Sequence, residues 1–171
     1  MDEYHIPVLL EEVLELLQVK SGKKYIDCTL GGGGHTGGIL KNGGIVLGIA
    51  QDNEALKNAE ENFKFEISSA WPGQANFKLS LRKANFAHLK EIAVGAGFGK
   101  VSGILLDLGV SSHQLETDYR GFSFNRDSKL DMRMDPVTQT VTAADLVNAG
   151  GEKELQRPRH LLHHGVLERL Q

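Results

Sequence analysis

The sequence has a single cysteine, Cys28, among 171 residues, and this excludes an internal disulfide and points to a reducing compartment. Charge of one sign is also missing. Lys and Arg total 19 against 22 Asp and Glu, a net charge of −3 with a pI near 6.2, so the chain carries no global basic field. A nucleic-acid partner would have to be held by a local patch. No apolar run approaches the length of a membrane span. The N-terminal Met1-Asp2-Glu3-Tyr4-His5 is acidic, so neither a secretory signal nor a membrane segment is expected, and a cytoplasmic protein is. With 40% hydrophobic and 24% charged residues, the length suits one domain with a sizeable core rather than disorder. No internal repeat or low-complexity tract is visible.

Glycine, in contrast, is abundant, and four of its 20 residues are consecutive. In Tyr25 to His35, YIDCTLGGGGH, a short apolar run leads into Gly31 to Gly34 and then to a helix start at His35 and Thr36. Strand, glycine turn and helix N-terminus together make a nucleotide-binding element. Without Cβ atoms the backbone turns with positive φ and presses N–H groups on a ligand, and the helix end adds partial positive charge. The loop is neither a P-loop, since no Gly-Lys-Ser/Thr follows, nor a convincing G-x-G-x-x-G. A compact turn of this kind can approach the amino-acid part of S-adenosylmethionine, with an acidic residue ending the second strand and holding the ribose.

Around it, periodicity predicts alternating elements. Pro7 opens a helix in which Val8, Leu9, Val13, Leu16 and Leu17 form the apolar stripe opposite Glu11, Glu12 and Glu15. Strands are expected at Tyr25 to Thr29, Ile45 to Ala50, Phe77 to Leu81 and Val101 to Asp107, the last the strongest buried pattern and one that ends in a carboxylate. Helices are expected at about Thr36 to Leu40, from near Asn53 through Phe63, and at Ala87 to Ala93, with a surface excursion from Phe65 to Asn76. This alternation gives a parallel, doubly wound α/β sheet with ligands off the C-terminal strand ends. There the glycine loop, the ends of strands two and four, and Asn85-Phe86 converge. From Leu108 to Pro136 the pattern becomes irregular and dense in paired charges, a functional segment by its length and its anchoring Phe and Met residues. Thr142 caps a further helix.

HIPVLLEEVLELL, YIDCTLGGGGHT, GILLDLGVSSHQL, RGFSFNRD and LDMRMDP, in this order and spacing, closely resemble the ribosomal RNA small-subunit cytosine-N4 methyltransferases of bacteria and their mitochondrial counterparts. The match covers about Tyr4 to Leu155. The resemblance implies an incomplete Rossmann-like methyltransferase sheet with the start of a helical recognition insert, S-adenosylmethionine as cofactor, and a cytidine of small-subunit ribosomal RNA as substrate. It divides the chain into a cofactor-binding part at 1–107, the start of the insert at 108–155 and a divergent tail at 156–171. Cofactor contacts implied are Gly33, Gly34, His35, Phe86, Asp107 and Gln114; on chemical grounds Asp107 is also the candidate catalytic acceptor for the cytosine amino protons, which localises the N4 lone pair. Phe86 also reads as core, Gln114 as a loop side chain, and His35 as a helix cap. Arg120, Arg126 and Arg133 suit RNA phosphates or internal pairs with neighbouring Asp residues equally well.

Two departures stand out against the family pattern. Gly48-Ile49-Ala50-Gln51-Asp52 puts alanine where the family has the ribose-binding acid, which removes up to two charge-assisted hydrogen bonds worth roughly 1.5–3 kcal/mol each. Family members are also considerably longer, so an uncovered sheet edge and self-association through it are expected. His160, His163 and His164 in the tail have no second ligand cluster, and no metal is expected. A catalytically inactive RNA- or protein-binding module of the same descent is the alternative function. An unrelated α/β nucleotide-binding enzyme is the third.

Overall fold

The computed structural model describes residues 7–64 and 78–151, which fall into two compact units divided between Ser111 and Ser112. The expected excursion at 65–76 and the tail at 156–171 lie outside the described residues.

In the first unit, α1 (Leu10–Leu16), β1 (Lys24–Asp27), α2 (Gly34–Lys41), β2 (Ile45–Ala50), α3 (Asn53–Asn62), β3 (Leu79–Lys83), a 3₁₀ turn at Phe86–His88, α4 (Leu89–Gly95) and β4 (Gly103–Leu105) follow one another. The four strands form one sheet in the order β3-β2-β1-β4, and every pairing is parallel. Parallel neighbours require crossovers, which the helices supply. The α/β doubly wound class expected from the alternation is the observed one.

The period-2 alternation of the strands sorts the core onto two faces. Ile26, Cys28, Leu47 and Ile49 pack with Ala93 and Phe98 on the α4 side. Tyr25 and Val46 pack with Ile39, Leu40, Leu14 and Leu17 on the side of α1 and α2. Asp27 and Ala50 belong by parity to this second face, so the buried polar residue of β1 points the same way as the glycine loop's helix.

Three expectations need correction. The packed stripe of α1 and its C-cap is the half-buried Leu10, Val13, Leu14 and Leu17, whereas Val8, Leu9 and Leu16 are exposed. The reason is where α2 lies: Leu10 and Leu14 pack on Gly38, and Leu17 on Gly103. β3 begins two residues later than Phe77. β4 is only three residues long and has one neighbour, β1, among the described residues, so Ile104 and Leu106 are exposed at 44% and 48%. An apolar pattern reads as buried from sequence, yet an edge strand leaves half of it open.

In the second unit, α5 (Ser112–Glu116), a 3₁₀ turn at Asp118–Arg120 and α6 (Ala143–Ala149) are joined by irregular chain. Thr142 accepts the Asp145 N–H while the Asp145 carboxylate accepts the Thr142 N–H, a reciprocal cap that starts α6 where the sequence predicts it.

Candidate active site

The glycine loop leaves β1 at Asp27 and enters α2 at Gly34. Gly31 and Gly33 have φ of +47° and +78°, and the Gly33 N–H returns to the Leu30 carbonyl at 2.7 Å. Beneath the loop, Asp27 is 1% exposed. Its Oδ1 accepts the Thr29 N–H at 3.1 Å and its Oδ2 the Thr36 hydroxyl at 2.7 Å. Burial pushes the Asp27 carboxyl above its ordinary value against the opposing pull of these bonds. Cys28, beside it, is a core thiol pushed up to about 12 by burial and then by Asp27, and so it is not a nucleophile.

The glycines are required first by packing. A Cβ on Gly33 would lie 2.6 Å from the Phe63 ring, and one on Gly34 would lie 2.7–2.9 Å from the Pro7 ring. Gly31 differs, since a Cβ there would meet nothing closer than the Thr29 carbonyl at 3.5 Å. Among the described residues the Cβ position of Gly31 is free of close contact, whereas those of Gly33 and Gly34 are filled by Phe63 and Pro7.

His35 does not cap α2. The cap is Gly33, and the His35 ring is buried with Nε2 3.0 Å from the Val8 carbonyl. A carbonyl only accepts, so Nε2 carries the proton and Nδ1 faces Asp107, with its Oδ2 at 3.9 Å. Asp107 lies two residues beyond β4 and its side chain is 49% exposed. The expectation of a buried carboxylate closing a strand is corrected on both points. Its place is set instead by its backbone N–H, which donates to the Thr29 hydroxyl at 2.8 Å. Asp27, Thr29, His35 and Asp107 thus gather at the C-terminal ends of β1 and β4.

At the end of β2, Ala50 is buried with Leu30, Ala55 and Ala59 and its side chain contributes no polar atom. Asp52 caps α3 by accepting the Glu54 N–H at 2.9 Å. Gln51 Oε1 accepts from Asn85 Nδ2 at 3.3 Å, and Asn85 Oδ1 accepts the Ala87 N–H at 2.8 Å. Phe86, next along, is half-buried against the Ile26 and Cys28 cluster. Sequence reasoning missed Asp27, Thr36 and the Gln51–Asn85 pair. The signal for Asp27 was available, since a carboxylate inside an apolar strand must be partnered.

Gln114 belongs to the second unit, where it is buried with its amide 3.8 Å from the Met134 sulfur. All three arginines there have internal partners. Arg120 is 2% exposed and donates to the Arg133 and Met134 carbonyls. Arg133 grips Asp131 with two donors, at 2.8 and 2.7 Å, and holds the Asp131 carboxyl below its ordinary value. Only Arg126, paired with Asp118 at 2.5 Å, keeps an exposed head among the three. Among the described residues no group of three or more His, Cys, Asp and Glu could hold a metal, and no helix is long and apolar enough to cross a membrane.

A parallel four-stranded α/β sheet with a glycine turn after its first strand is the architecture of a Rossmann-like methyltransferase fragment. Relatives agree. The chain is 43% identical over 157 residues to a protein of Symbiobacterium thermophilum named ribosomal RNA small subunit methyltransferase H, covering 90% of this chain and 46% of that one. Proteins of the same name from Carboxydothermus hydrogenoformans and Syntrophobacter fumaroxidans are 43% and 47% identical, over 92% and 88% of this chain and 48% and 45% of theirs. The sequence model of the MraW methylase family matches residues 2–163, and the chain belongs to that family. S-adenosylmethionine is the family's cofactor. The chain spans about half the length of the curated relatives it matches. The positive-φ glycine turn suits such a cofactor, while the Ala50 side chain supplies no acceptor for its ribose.

Proposed function

We propose that this chain carries the cofactor-binding half of a methyltransferase acting on the N4 amine of a cytidine in small-subunit ribosomal RNA, in the cytoplasm. The observation that carries the reading is Asp107, anchored through Thr29 beside the helix of the glycine turn. S-adenosylmethionine supplies a methyl group already activated on a sulfonium, so alignment and charge are what remain for the protein. In this reading the backbone of Gly33 and Gly34 and the His35 segment receive the amino-acid end, and Phe86 lies along the adenine. Gln114 is a further cofactor contact on the strength of the resemblance alone. Asp107 accepts an N4 proton, which localises the nitrogen lone pair that the cytosine ring otherwise withdraws. The base must leave its stack to reach such a group.

The test is transfer of labelled methyl to small-subunit RNA. Asp107→Asn is expected to lower transfer at least a hundredfold while S-adenosylmethionine binding by calorimetry stays within a few-fold. Absence of heat with millimolar ligand in both the wild type and Ala50→Asp sinks the reading. Ala50 favours a second reading, an RNA-binding module of the same descent without turnover, in which RNA binds but no label is transferred. Self-association through the edge of β4 that has no neighbour among the described residues belongs to the proposal, and a monomer at all concentrations in sedimentation velocity rejects it.

A further inference from the structure

The corner where β2 ends carries an alanine at position 50 and, next to it, an oriented amide. Asn85 cannot rotate freely, because its Oδ1 accepts the Ala87 N–H. Its Nδ2 is therefore the donor toward Gln51, and the atom it meets must be Oε1, as observed at 3.3 Å. With the oxygen committed, Gln51 offers Nε2 and its two N–H groups, for which no partner exists among the described residues. The location is specific. Gln51 directly follows the last residue of β2, and Asn85 directly precedes Phe86. The same two segments are tied again by the Ala84 N–H on the Ala50 carbonyl at 3.0 Å. Asp52, the nearest acid, is occupied in capping α3.

We propose that Gln51, held by Asn85, takes the ribose of the nucleoside cofactor in place of the carboxylate missing at position 50, donating Nε2–H to a hydroxyl oxygen. The inference rests on the cofactor reading above. It reverses the polarity of recognition: the hydroxyl accepts from a neutral donor here, where an acid would accept from the hydroxyl. A neutral bond discriminates less than a charged one, so the site tolerates loss of ribose hydroxyls better than an acid-bearing site would.

Calorimetric titration with S-adenosylhomocysteine and with its 2′,3′-dideoxy counterpart tests this in the wild type, Gln51→Leu, Gln51→Glu and Ala50→Asp, with thermal unfolding recorded for each. Gln51→Leu is expected to weaken the hydroxylated ligand about three- to tenfold and the dideoxy ligand less than twofold. Gln51→Glu is expected to strengthen the hydroxylated ligand selectively. Equal losses for both ligands would mean that Gln51 only supports the loop, and would overturn the assignment. Wild-type binding that Gln51→Leu leaves unchanged overturns the assignment while the cofactor reading stands. Binding by Ala50→Asp alone also overturns it, because Gln51 would then be no substitute for the acid. If neither the wild type nor Ala50→Asp binds, the cofactor reading and the assignment fall together.

Discussion

The Thr36 hydroxyl donates to the Asp27 carboxylate at 2.7 Å, and both side chains are sealed from solvent. One bond therefore clips the first turn of α2 to the last residue of β1, with the glycine loop strung between them. Thr36→Val keeps the shape and leaves a buried carboxylate oxygen without its donor. A destabilisation of about 1–3 kcal/mol is expected in urea unfolding, with Thr36→Ser close to wild type. A Val variant as stable as Ser would show that the clip does not hold the loop.

The same carboxyl imposes a pH dependence. Burial raises Asp27 above 3.8, so the folded state keeps its proton to higher pH than the unfolded chain does. Its contribution to stability is complete below 3.8 and is lost as pH rises through the raised value. Asp27→Asn removes this slope. The melting-temperature advantage of wild type over the variant is expected to shrink from pH 3.5 toward neutrality, and an advantage that grows with pH contradicts it.

Gly33→Ala meets two obstacles, a φ of +78° and the Phe63 ring 2.6 Å from the new Cβ. Left-handed backbone and overpacking together are expected to cost about 2–4 kcal/mol. Pairing it with Phe63→Leu should cost less than the sum of the single changes, because the two atoms contest one space. Strict additivity would place the clash elsewhere. Loss of cofactor binding by Gly33→Ala is consequently no proof of a ligand contact.

Two arginines of the second unit are expected to respond oppositely. Arg120→Met leaves the Arg133 and Met134 carbonyls without their donor, at roughly 2–4 kcal/mol, and should speed amide exchange of residues near 130–135. Arg126→Ala removes an exposed pair and should change stability by less than about 1 kcal/mol. If RNA lies on this unit, Arg126→Ala lowers the salt dependence of binding by about one phosphate contact. An unchanged salt slope removes Arg126 from the interface.

Local pattern was enough for much of the molecule. β2 runs from Ile45 to Ala50 as its continuous apolar run predicts. α3 follows its capping acid, α6 starts at Thr142, and alternation of strand and helix dictated a parallel sheet, because these signals depend on neighbours within a few residues. The loop's character was legible too, since only glycine turns so tightly. Tertiary structure decided what each position faces. Leu10 and Leu14, rather than Leu9 and Leu16, are the packed, half-buried positions because Gly38 of α2 lies against them. Gly33 is glycine because Phe63, thirty residues away in sequence, fills its Cβ space. Asp107 stands where Thr29 anchors it, and Gln51 is aimed by Asn85. Periodicity carries no information on such long-range partners, because hydrogen bonds and volume are shared between segments that only the fold brings together.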